Sequence, residues 1–384
     1  MKDIFKKIDE LSNDFVNVWE DVLNIESPSN FKKGVDKLGS YFINFAKQND
    51  WDVEIFKQEN FGDVVTITMN SKSPLPPVTL SGHMDTVHPV GSFGTPAAHR
   101  EGDILYGPGA MDCKGGIVAG FLTMKALKDC NFTSRPVRMI LQSNEEVGSG
   151  LNNKATINYI CEKVKDSVAF LNLEGHEAQF GEKIALIRKG IAGFLFKITG
   201  VEAHASYCAF QGASAIREAA HKIVELEKVK FLDGITFNCG IINGGKAQNS
   251  VPGKCEFYVD VRFNTKEEYE DAIKRINKIA NTVYVEGCSC ELIATSLRSA
   301  MELNDKNLAL FNKANELFEQ NGLSTLAIGK RNGGSDAADV TAYGIPCLDA
   351  LGVCGEHAHS AKEYANIPSL SQSAKRIATI IMGI

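Results

Sequence analysis

Three separate segments of the chain combine metal-binding side chains with turns that follow apolar runs. They read SGHMDTV, GPGAMDCKGG and NEEVGSG and contain His83, Asp85, Asp112, Glu145 and Glu146. Imidazole and carboxylate ligands suit Zn²⁺, and Co²⁺ or Mn²⁺ can substitute. Open α/β sheets place their chemistry at the carboxyl ends of strands. The segments together predict one hydrolytic metal centre.

The first segment places His83 and Asp85 two residues apart at the end of an apolar strand. Side chains at this spacing project to the same face of a strand. A metal-bound imidazole usually donates its other N–H to an oxygen, which fixes the tautomer. The pair therefore suits a ligand and its orienting carboxylate, and the alternative is a surface His–Asp pair in a turn.

The other two segments supply carboxylates with distinct predicted roles. Glycines flank Asp112 and permit a sharp turn, so its carboxylate could bridge two cations; the alternative is a helix N-cap. The neighbours Glu145 and Glu146 point in different directions, so one can bind metal while the other takes a proton from metal-bound water and passes it to the leaving amine. An exposed acidic turn is the alternative for this pair.

Two further metal-binding side chains follow predicted strands. Glu174 comes after an apolar run, and His359 lies beyond the last predicted strand. They complete a set of two imidazoles and three carboxylates, a mixture suited to zinc. Spacing alone leaves His357 as a competitor of His359, and His176 as a further candidate.

The elements that position these residues predict an α/β domain. Apolar residues at intervals of three and four predict two amphipathic helices at the start of the chain. Helices alternating with strands indicate a sheet buried between helices. The predicted strands are 53–56, 64–69, 78–81, 137–142 and 168–173, and the helices are 117–128 and 155–164.

The pattern changes after residue 182 and predicts an inserted domain over 185–297. Strand, helix, two strands, helix and strand make a ferredoxin-like sandwich, with two helices on one face of a four-stranded antiparallel sheet. Residues 1–184 and 298–384 would form the catalytic domain. The predicted elements of the insert are 191–199, 213–228, 235–242, 256–262, 266–280 and 284–293, and those that follow it are 308–320, 346–351 and 370–382.

Composition excludes several classes of protein. The net charge of −6 and the lack of a long Lys/Arg block argue against nucleic acid as a partner. No segment has the apolar length of a secretory signal or a membrane span. The ten cysteines are scattered through 384 residues, which favours a reduced cytoplasmic location.

At this point the motifs resemble a known family, the dinuclear zinc peptidases that include glutamate carboxypeptidase, acetylornithine deacetylase, succinyl-diaminopimelate desuccinylase, aminoacylase and several dipeptidases. The segments SGHMDTV, GPGAMDCKGG, NEEVGSG, LEG and HSAKEYANI match in order over nearly the whole chain. The resemblance implies a zinc-binding domain with a mixed, mostly parallel sheet flanked by helices. It also implies that the inserted α+β domain is a lid and forms a homodimer.

The resemblance further implies a role for each site residue. His83 and Glu174 would hold one Zn²⁺, Glu146 and His359 the other, and Asp112 would bridge them. The family's spacing favours His359 over His357, because the ligand directly precedes a Ser-x-x-Glu run.

Around these ligands, Asp85 would orient His83 and Glu145 would be the general base. The bond between Asp112 and Cys113 would be cis, as is usual in the family. Cys113 is a departure, since many relatives carry Met or Thr there.

For substrate binding, the resemblance points to residues of the insert and of a glycine-rich loop. His204 would stabilise the oxyanion, in some members across subunits, and an Arg fork suits a substrate carboxylate. The substrate-binding candidates are Asn249, Arg262, Gly333, Gly334 and Ser335. The form of this loop and the presence of Glu174 lean toward the glutamate carboxypeptidase branch.

The expected activity is hydrolysis of an amide bond next to an amino acid with a free carboxylate, so the partner is a small peptide or an N-acyl amino acid. An N-acyl-amino-acid deacylase or a dipeptidase is the alternative within the family. A binding protein without activity would be expected to lack a ligand or Glu145. Nucleophilic catalysis by Cys113 would need a paired His and no metal.

Overall fold

The computed structural model describes residues 1–149, 154–177, 183–207, 210–228 and 234–384. The chain divides into two compact units. Unit 1 comprises Met1–Leu186, Leu303–Lys330 and Ser335–Ile384, and unit 2 comprises Ile187–Glu302 and Arg331–Gly334.

Helices are distributed over both units. Within the described residues they are α1 Lys2–Leu23, α2 Lys32–Gln48, α3 Lys114–Asp129, α4 Ala155–Lys163, α5 Ala215–Glu227, α6 Lys266–Asn281, α7 Asp305–Gln320, α8 Asp336–Ala342 and α9 Pro368–Gly383. Several begin at a side chain that accepts a main-chain N–H, as Ser214, Thr265 and Asn304 do for α5, α6 and α7. None of these helices is long and apolar enough to cross a membrane, as judged over the described residues.

Strands make up the sheets of both units. In chain order they are β1 Asp52–Phe56, β2 Val64–Met69, β3 Val78–His83, β4 His99–Glu101, β5 Ile104–Tyr106, β6 Val137–Gln142, β7 Ala169–Asn172, β8 His176–Glu177, β9 Lys183–Arg188, β10 Gly190–Thr199, β11 Ala203–His204, β12 Thr236–Gly244, β13 Ser250–Val251, β14 Lys254–Phe263, β15 Ser289–Arg298, β16 Ala327–Arg331, β17 Cys347–Leu348, β18 Cys354–Glu356 and β19 Tyr364–Asn366.

The main sheet of unit 1 has the order β1-β2-β6-β3-β7-β17. The β6-β3, β3-β7 and β7-β17 pairs are parallel, and the β1-β2 and β2-β6 pairs are antiparallel. Helix α3 is buried along nearly its whole length, and it packs against β3, α1 and α9. The predicted mixed, mostly parallel sheet flanked by helices is confirmed.

A second sheet of unit 1 was not predicted from the sequence. Its strands have the order β4-β5-β19-β18-β8 and are two or three residues long. Such strands are too short to show a period of two. Their connections carry three site residues, because Asp112 follows β5, Glu174 precedes β8 and His359 lies between β18 and β19.

Unit 2 contains a sheet of order β12-β14-β10-β15 in which every neighbouring pair is antiparallel. Helices α5 and α6 pack against this sheet and against each other, and their apolar residues share a core with Phe196, Phe237 and Phe257. The order of elements confirms the predicted ferredoxin-like arrangement.

Two details of unit 2 differ from the sequence predictions. Strand β15 begins at Ser289 rather than 284, because the Glu218 carboxylate accepts the main-chain N–H groups of Tyr284 and Val285 and holds them out of the sheet. Residues 331–334 also lie in unit 2, where Arg188 donates to the carbonyl oxygens of Gly333 and Gly334.

Candidate metal centre

His83 is the last residue of β3 and is buried, with 2% of its side chain exposed. Its Nδ1 lies 2.9 Å from the main-chain oxygen of Asp85. Because a carbonyl can only accept, Nδ1 donates there and Nε2 is the atom available to a metal. Nε2 lies 3.0 Å from Oδ1 of Asp112 and 3.6 Å from Oε1 of Glu174.

Asp112 faces two imidazoles with its two carboxylate oxygens. Oδ1 approaches His83, and Oδ2 lies 3.3 Å from Nε2 of His359. The same Nε2 lies 3.1 Å from Oε2 of Glu146. The bond between Asp112 and Cys113 is cis, which confirms that expectation.

The structure thus brings the predicted metal ligands of unit 1 together. His359, rather than His357, faces the carboxylates, whereas the ring of His357 lies against that of Tyr364. Ligand atoms of His83, Asp112 and Glu146 lie within 4.8 Å of one another. Closely spaced nitrogen and carboxylate oxygen donors of this kind fit a divalent cation such as Zn²⁺.

The shifted pKa values of His83 and Asp112 show that their surroundings favour positive charge. Burial lowers the pKa of His83, but the Asp112 and Asp85 carboxylates outweigh it and raise the pKa well above its ordinary value. Burial likewise opposes ionisation of Asp112, yet hydrogen bonds with His359 and His83 hold the pKa of Asp112 well below its usual range.

The other side of the cluster is also perturbed. Hydrogen bonds with Asp112 and Glu146 raise the pKa of His359 to about 11. Burial raises the pKa of Glu146 to about 7. Protons on the imidazoles thus balance the carboxylates, and a divalent cation would supply the same charge.

Asp85 serves the site in a way that the sequence did not reveal. Its carboxylate is 3.6 Å from Nδ1 of His83, but its shorter contacts lie elsewhere. It accepts hydrogen bonds from Ser29 Oγ at 2.7 Å and from the main-chain N–H of Glu145 and Glu146 at 3.0 and 3.2 Å. Asp85 therefore anchors the turn that carries the predicted base, and its main chain orients His83.

Cys113 and Lys114 follow Asp112 and are fully buried. The Cys113 thiol donates to the carbonyl oxygen of Leu173, and burial raises its pKa well above the ordinary value. A nucleophilic thiol needs the opposite shift. Lys114 Nζ donates to the carbonyl oxygens of Val22 and Ile25 at the end of α1, and burial lowers its pKa to about 7.

The predicted substrate-binding residues of unit 2 have contacts of their own. His204 is exposed on β11, and its Nδ1 is 2.7 Å from Ser206 Oγ. Asn249 is exposed and its main-chain oxygen accepts from Ala205. Arg262 already makes a two-pronged contact with Asp260, at 2.7 and 3.0 Å. A substrate carboxylate would have to share or displace that partner.

The glycine-rich loop is divided between the two units. Gly333 and Gly334 belong to unit 2, whereas Ser335 belongs to unit 1. Ser335 is fully buried and donates its hydroxyl to Asp349 at 2.8 Å. This contact favours a structural role for the Ser335 hydroxyl.

Two buried residues near the cluster were missed from the sequence as site residues. Ser29 donates to Asp85, and Glu363 accepts main-chain N–H groups beside Asp112. Nothing in the pattern around Ser29 marks it. Glu363 had a signal, because it ends the Ser-x-x-Glu run after His359, but its partners could not be read from that motif.

Comparison with known proteins supports this picture. A family model described as "Peptidase dimerisation domain" matches residues 186–288, and one described as "Peptidase family M28" matches residues 64–204. Carboxypeptidase G2 of Pseudomonas sp. (strain RS-16) is 27% identical over 96% of this chain and 89% of its own length. Succinyl-diaminopimelate desuccinylase of Rickettsia massiliae (strain Mtu5) is 24% identical over 93% of this chain and 96% of its own.

Solved structures share the fold. A tripeptidase from Staphylococcus aureus superposes with a TM-score of 0.79 at 22% identity, covering 96% of this chain and 97% of that one. The M20 family metallo-carboxypeptidase Sso-CP2 from Sulfolobus solfataricus gives 0.75 at 17% identity, covering 96% and 98%.

The fold and these relatives define a hydrolytic enzyme of the peptidase class. The M28 model ends at residue 204. The dimerisation-domain model and the two relatives, which match over 96% and 93% of this chain, extend the similarity through unit 2. The resemblance that the motifs predicted is confirmed, because the chain is similar over nearly its whole length to a carboxypeptidase and to a desuccinylase.

Proposed function

We propose that this enzyme hydrolyses the amide bond next to an amino acid with a free carboxylate, in the manner of a glutamate carboxypeptidase. Metal dependence is common to the M20 metallopeptidases that it resembles. The particular substrate and a centre of two Zn²⁺ ions go beyond that common ground and are part of the proposal.

The observation that carries the proposal is the position of the Asp112 carboxylate between His83 and His359, at 3.0 and 3.3 Å. His83 and Glu174 would hold one ion, Glu146 and His359 would hold the other, and Asp112 would bridge them. Bound ions of this kind polarise a carbonyl oxygen and lower the pKa of a bound water.

Glu145 is the proposed general base. Its main chain is anchored by Asp85, and its side chain is buried beside Glu146. Glu145 would take a proton from the attacking water and deliver it to the amine nitrogen of the leaving amino acid. His204 would donate to the oxyanion, and Arg262 or Asn249 would bind the free carboxylate, with Gly333, Gly334 and Ser335 in the loop that lines the substrate.

Similarity to two relatives supports two candidate classes of substrate. Similarity to a carboxypeptidase over 96% of the chain favours a peptide or peptide-like substrate. Similarity to a desuccinylase over 93% of the chain keeps an N-acyl-amino-acid deacylase, or a dipeptidase, as the second candidate. Hydrolysis rates over C-terminal-glutamate peptides, dipeptides and N-acyl amino acids, with Zn²⁺ or Co²⁺ added, would separate them.

The test of the mechanism is Glu145→Gln, which keeps the shape of the side chain and removes the base. We expect kcat to fall by about 10²–10⁴-fold, the usual contribution of a general base, while metal content measured by elemental analysis stays that of the wild type.

Glu101→Gln on the exposed strand β4 is the matched control and should leave both quantities unchanged. Full turnover by Glu145→Gln would refute the assigned base. Activity that survives chelation would instead favour a mechanism without metal, such as attack by Cys113.

A homodimer formed through unit 2 is part of the proposal. It is supported by the match to a peptidase dimerisation domain and by β12, a strand at the edge of its sheet with exposed Ile241 and Ile242. Light scattering after gel filtration tests it. The cytoplasmic location predicted from the cysteines stays a prediction, which cell fractionation would test.

A further inference from the structure

Glu363 is a fully buried carboxylate that contacts the turn carrying Asp112. Its Oε1 accepts the main-chain N–H groups of Met111 and Asp112, both at 2.9 Å. Its Oε2 accepts the N–H of Gly109 at 3.3 Å. One side chain thus satisfies three main-chain donors around the proposed bridging ligand.

The turn depends on this side chain because it is irregular. It lies between β5 and α3, with positive φ at Gly107 and Gly109. Each N–H carries one hydrogen, and those of Met111 and Asp112 are directed at Glu363 rather than along a strand or helix. Buried main-chain donors need such an acceptor.

Glu363 also connects Asp112 to the loop that carries His359, four residues earlier. In that loop Glu363 N–H donates to Ser360 O at 2.9 Å, and Ser360 N–H donates to His357 O at 3.1 Å. The backbone of Glu363 is therefore fixed in the same turn as one proposed ligand, while its carboxylate holds another.

A third segment meets the same carboxylate. Nε2 of the buried His88 lies 2.6 Å from Oε2 of Glu363, and the His88 ring lies edge-on against Phe93. His88 follows His83 by five residues, so Glu363 joins the segments of His83, Asp112 and His359. Hydrogen bonds to a carboxylate are about twice as strong as neutral ones.

We propose that Glu363 is a positioning residue that sets the metal affinity of the cluster by holding Asp112 between His83 and His359. In this role it would contact neither the metal nor the substrate. The inference rests on the proposed function only in that the cluster binds a divalent cation.

The test is Glu363→Gln, in which an amide replaces one acceptor oxygen. Zn²⁺ affinity would be measured by competition with a chelating dye, and the geometry of the site by the absorption spectrum of bound Co²⁺. We expect Zn²⁺ to bind about 10- to 100-fold more weakly, the usual cost of losing a residue that orients ligands, with an altered Co²⁺ spectrum.

Glu218→Gln is the matched control. Glu218 is also buried, its Oε2 accepts two consecutive N–H groups at 2.9 and 2.7 Å, and its other oxygen pairs with Lys222 at 3.0 Å. It lies in unit 2, away from the ligand set in the chain, so its amide variant should bind Zn²⁺ and Co²⁺ as the wild type does. Equal weakening in both variants would show a general loss of stability and overturn the inference.

A pair of variants at His88 keeps the test decisive if Glu363→Gln does not fold. His88→Leu removes the donor and should weaken Zn²⁺ binding, whereas His88→Gln retains a donor and should restore most of it. If Glu363→Gln, or both His88 variants, bind Zn²⁺ with wild-type affinity and give the wild-type Co²⁺ spectrum, the inference about Glu363 is wrong, but the proposed function stands. A wild-type protein that binds no Zn²⁺ would overturn the proposed function as well.

Discussion

The two histidines of the candidate metal centre occupy opposite environments. His83 ends a strand inside the main sheet and has 2% of its side chain exposed, whereas His359 lies in a loop at φ 63° with 58% exposed. Both approach the same Asp112 carboxylate. One histidine is therefore held by the main sheet and the other by a connection between short strands.

This difference predicts that the two sides of the cluster hold a metal ion with different affinities. A ligand whose backbone and ring are both held loses little freedom when it binds a metal. His83 meets that condition through β3 and the Asp85 carbonyl, while His359 remains accessible to solvent. If the proposed centre of two ions forms, we expect the ion held by His83 and Glu174 to be retained more strongly than the ion held by Glu146 and His359.

The largest expected effect comes from removing each histidine in turn. His83→Ala should lose the strongly bound ion. Its Zn²⁺ affinity should fall by more than roughly 100-fold, the upper range for residues that only orient ligands. His359→Ala should leave that ion in place and lose the exchangeable one. Zn²⁺ titration of metal-free protein, followed by elemental analysis, measures both.

His357→Ala is the control, because His357 contacts Tyr364 and not the carboxylates of the cluster. It should bind Zn²⁺ as the wild type does. The predicted difference in affinity is wrong if His359→Ala loses the more strongly held ion.

A smaller effect is expected from Gly116→Ala in α3. A Cβ at this position would lie 1.8 Å from the main-chain oxygen of Leu173, the residue before Glu174. Because a backbone cannot yield easily, the variant should lose about 1–3 kcal/mol in the free energy of unfolding. Denaturant unfolding and Zn²⁺ titration should show that the half of the cluster with His83 is the one affected.

Gly120→Ala, one turn later, separates steric conflict from helix propensity. Its Cβ would meet the side-chain ends of Met139 and Leu173, which can move. Both variants gain about 1 kcal/mol of helix propensity. Equal stability of the two proteins would contradict the predicted conflict at Gly116.

The smallest expected effect is on the pH dependence of metal binding. In the metal-free protein the pKa of His359 is raised to about 11, so its ring is in the cationic form, with both nitrogens protonated, at neutral pH. Binding must displace one of these protons, so affinity should rise with pH, about tenfold per pH unit for each proton released. Calorimetry in buffers of different ionisation enthalpy counts the protons.

His359→Ala should release fewer protons than the wild type in the same experiment. An unchanged proton count would mean that the half of the cluster with His359 does not take part in metal binding under these conditions.

Elements with clear periodicity could be predicted from the sequence, and those defined by tertiary contacts could not. Strands 64–69 and 137–142 were predicted with their observed bounds, since apolar runs end there at turns. The start of β15 was misplaced by five residues, because Glu218 draws Tyr284 and Val285 away from the sheet. The apolar alternation of that segment carried no sign of Glu218.

The same limit applies to the candidate site. Ligands could be proposed because imidazoles and carboxylates recur in short segments after strands. Glu363 remained only part of a motif, since its partners are main-chain N–H groups, one of them 251 residues earlier in the chain. Main-chain donors leave no trace in residue types, so residues that position the ligands were the least predictable part.

The buried ammonium of Lys114 has a consequence for the start of the chain. Its acceptors are the carbonyl oxygens of Val22 and Ile25, at the end of α1, and it stands two residues after Asp112. An enzyme shortened by its first helix would lose the Val22 acceptor of the Lys114 amino group, two residues after the proposed bridging Asp112. We therefore expect the first helix to support the segment that carries Asp112, although the first metal-binding motif lies much later in the chain.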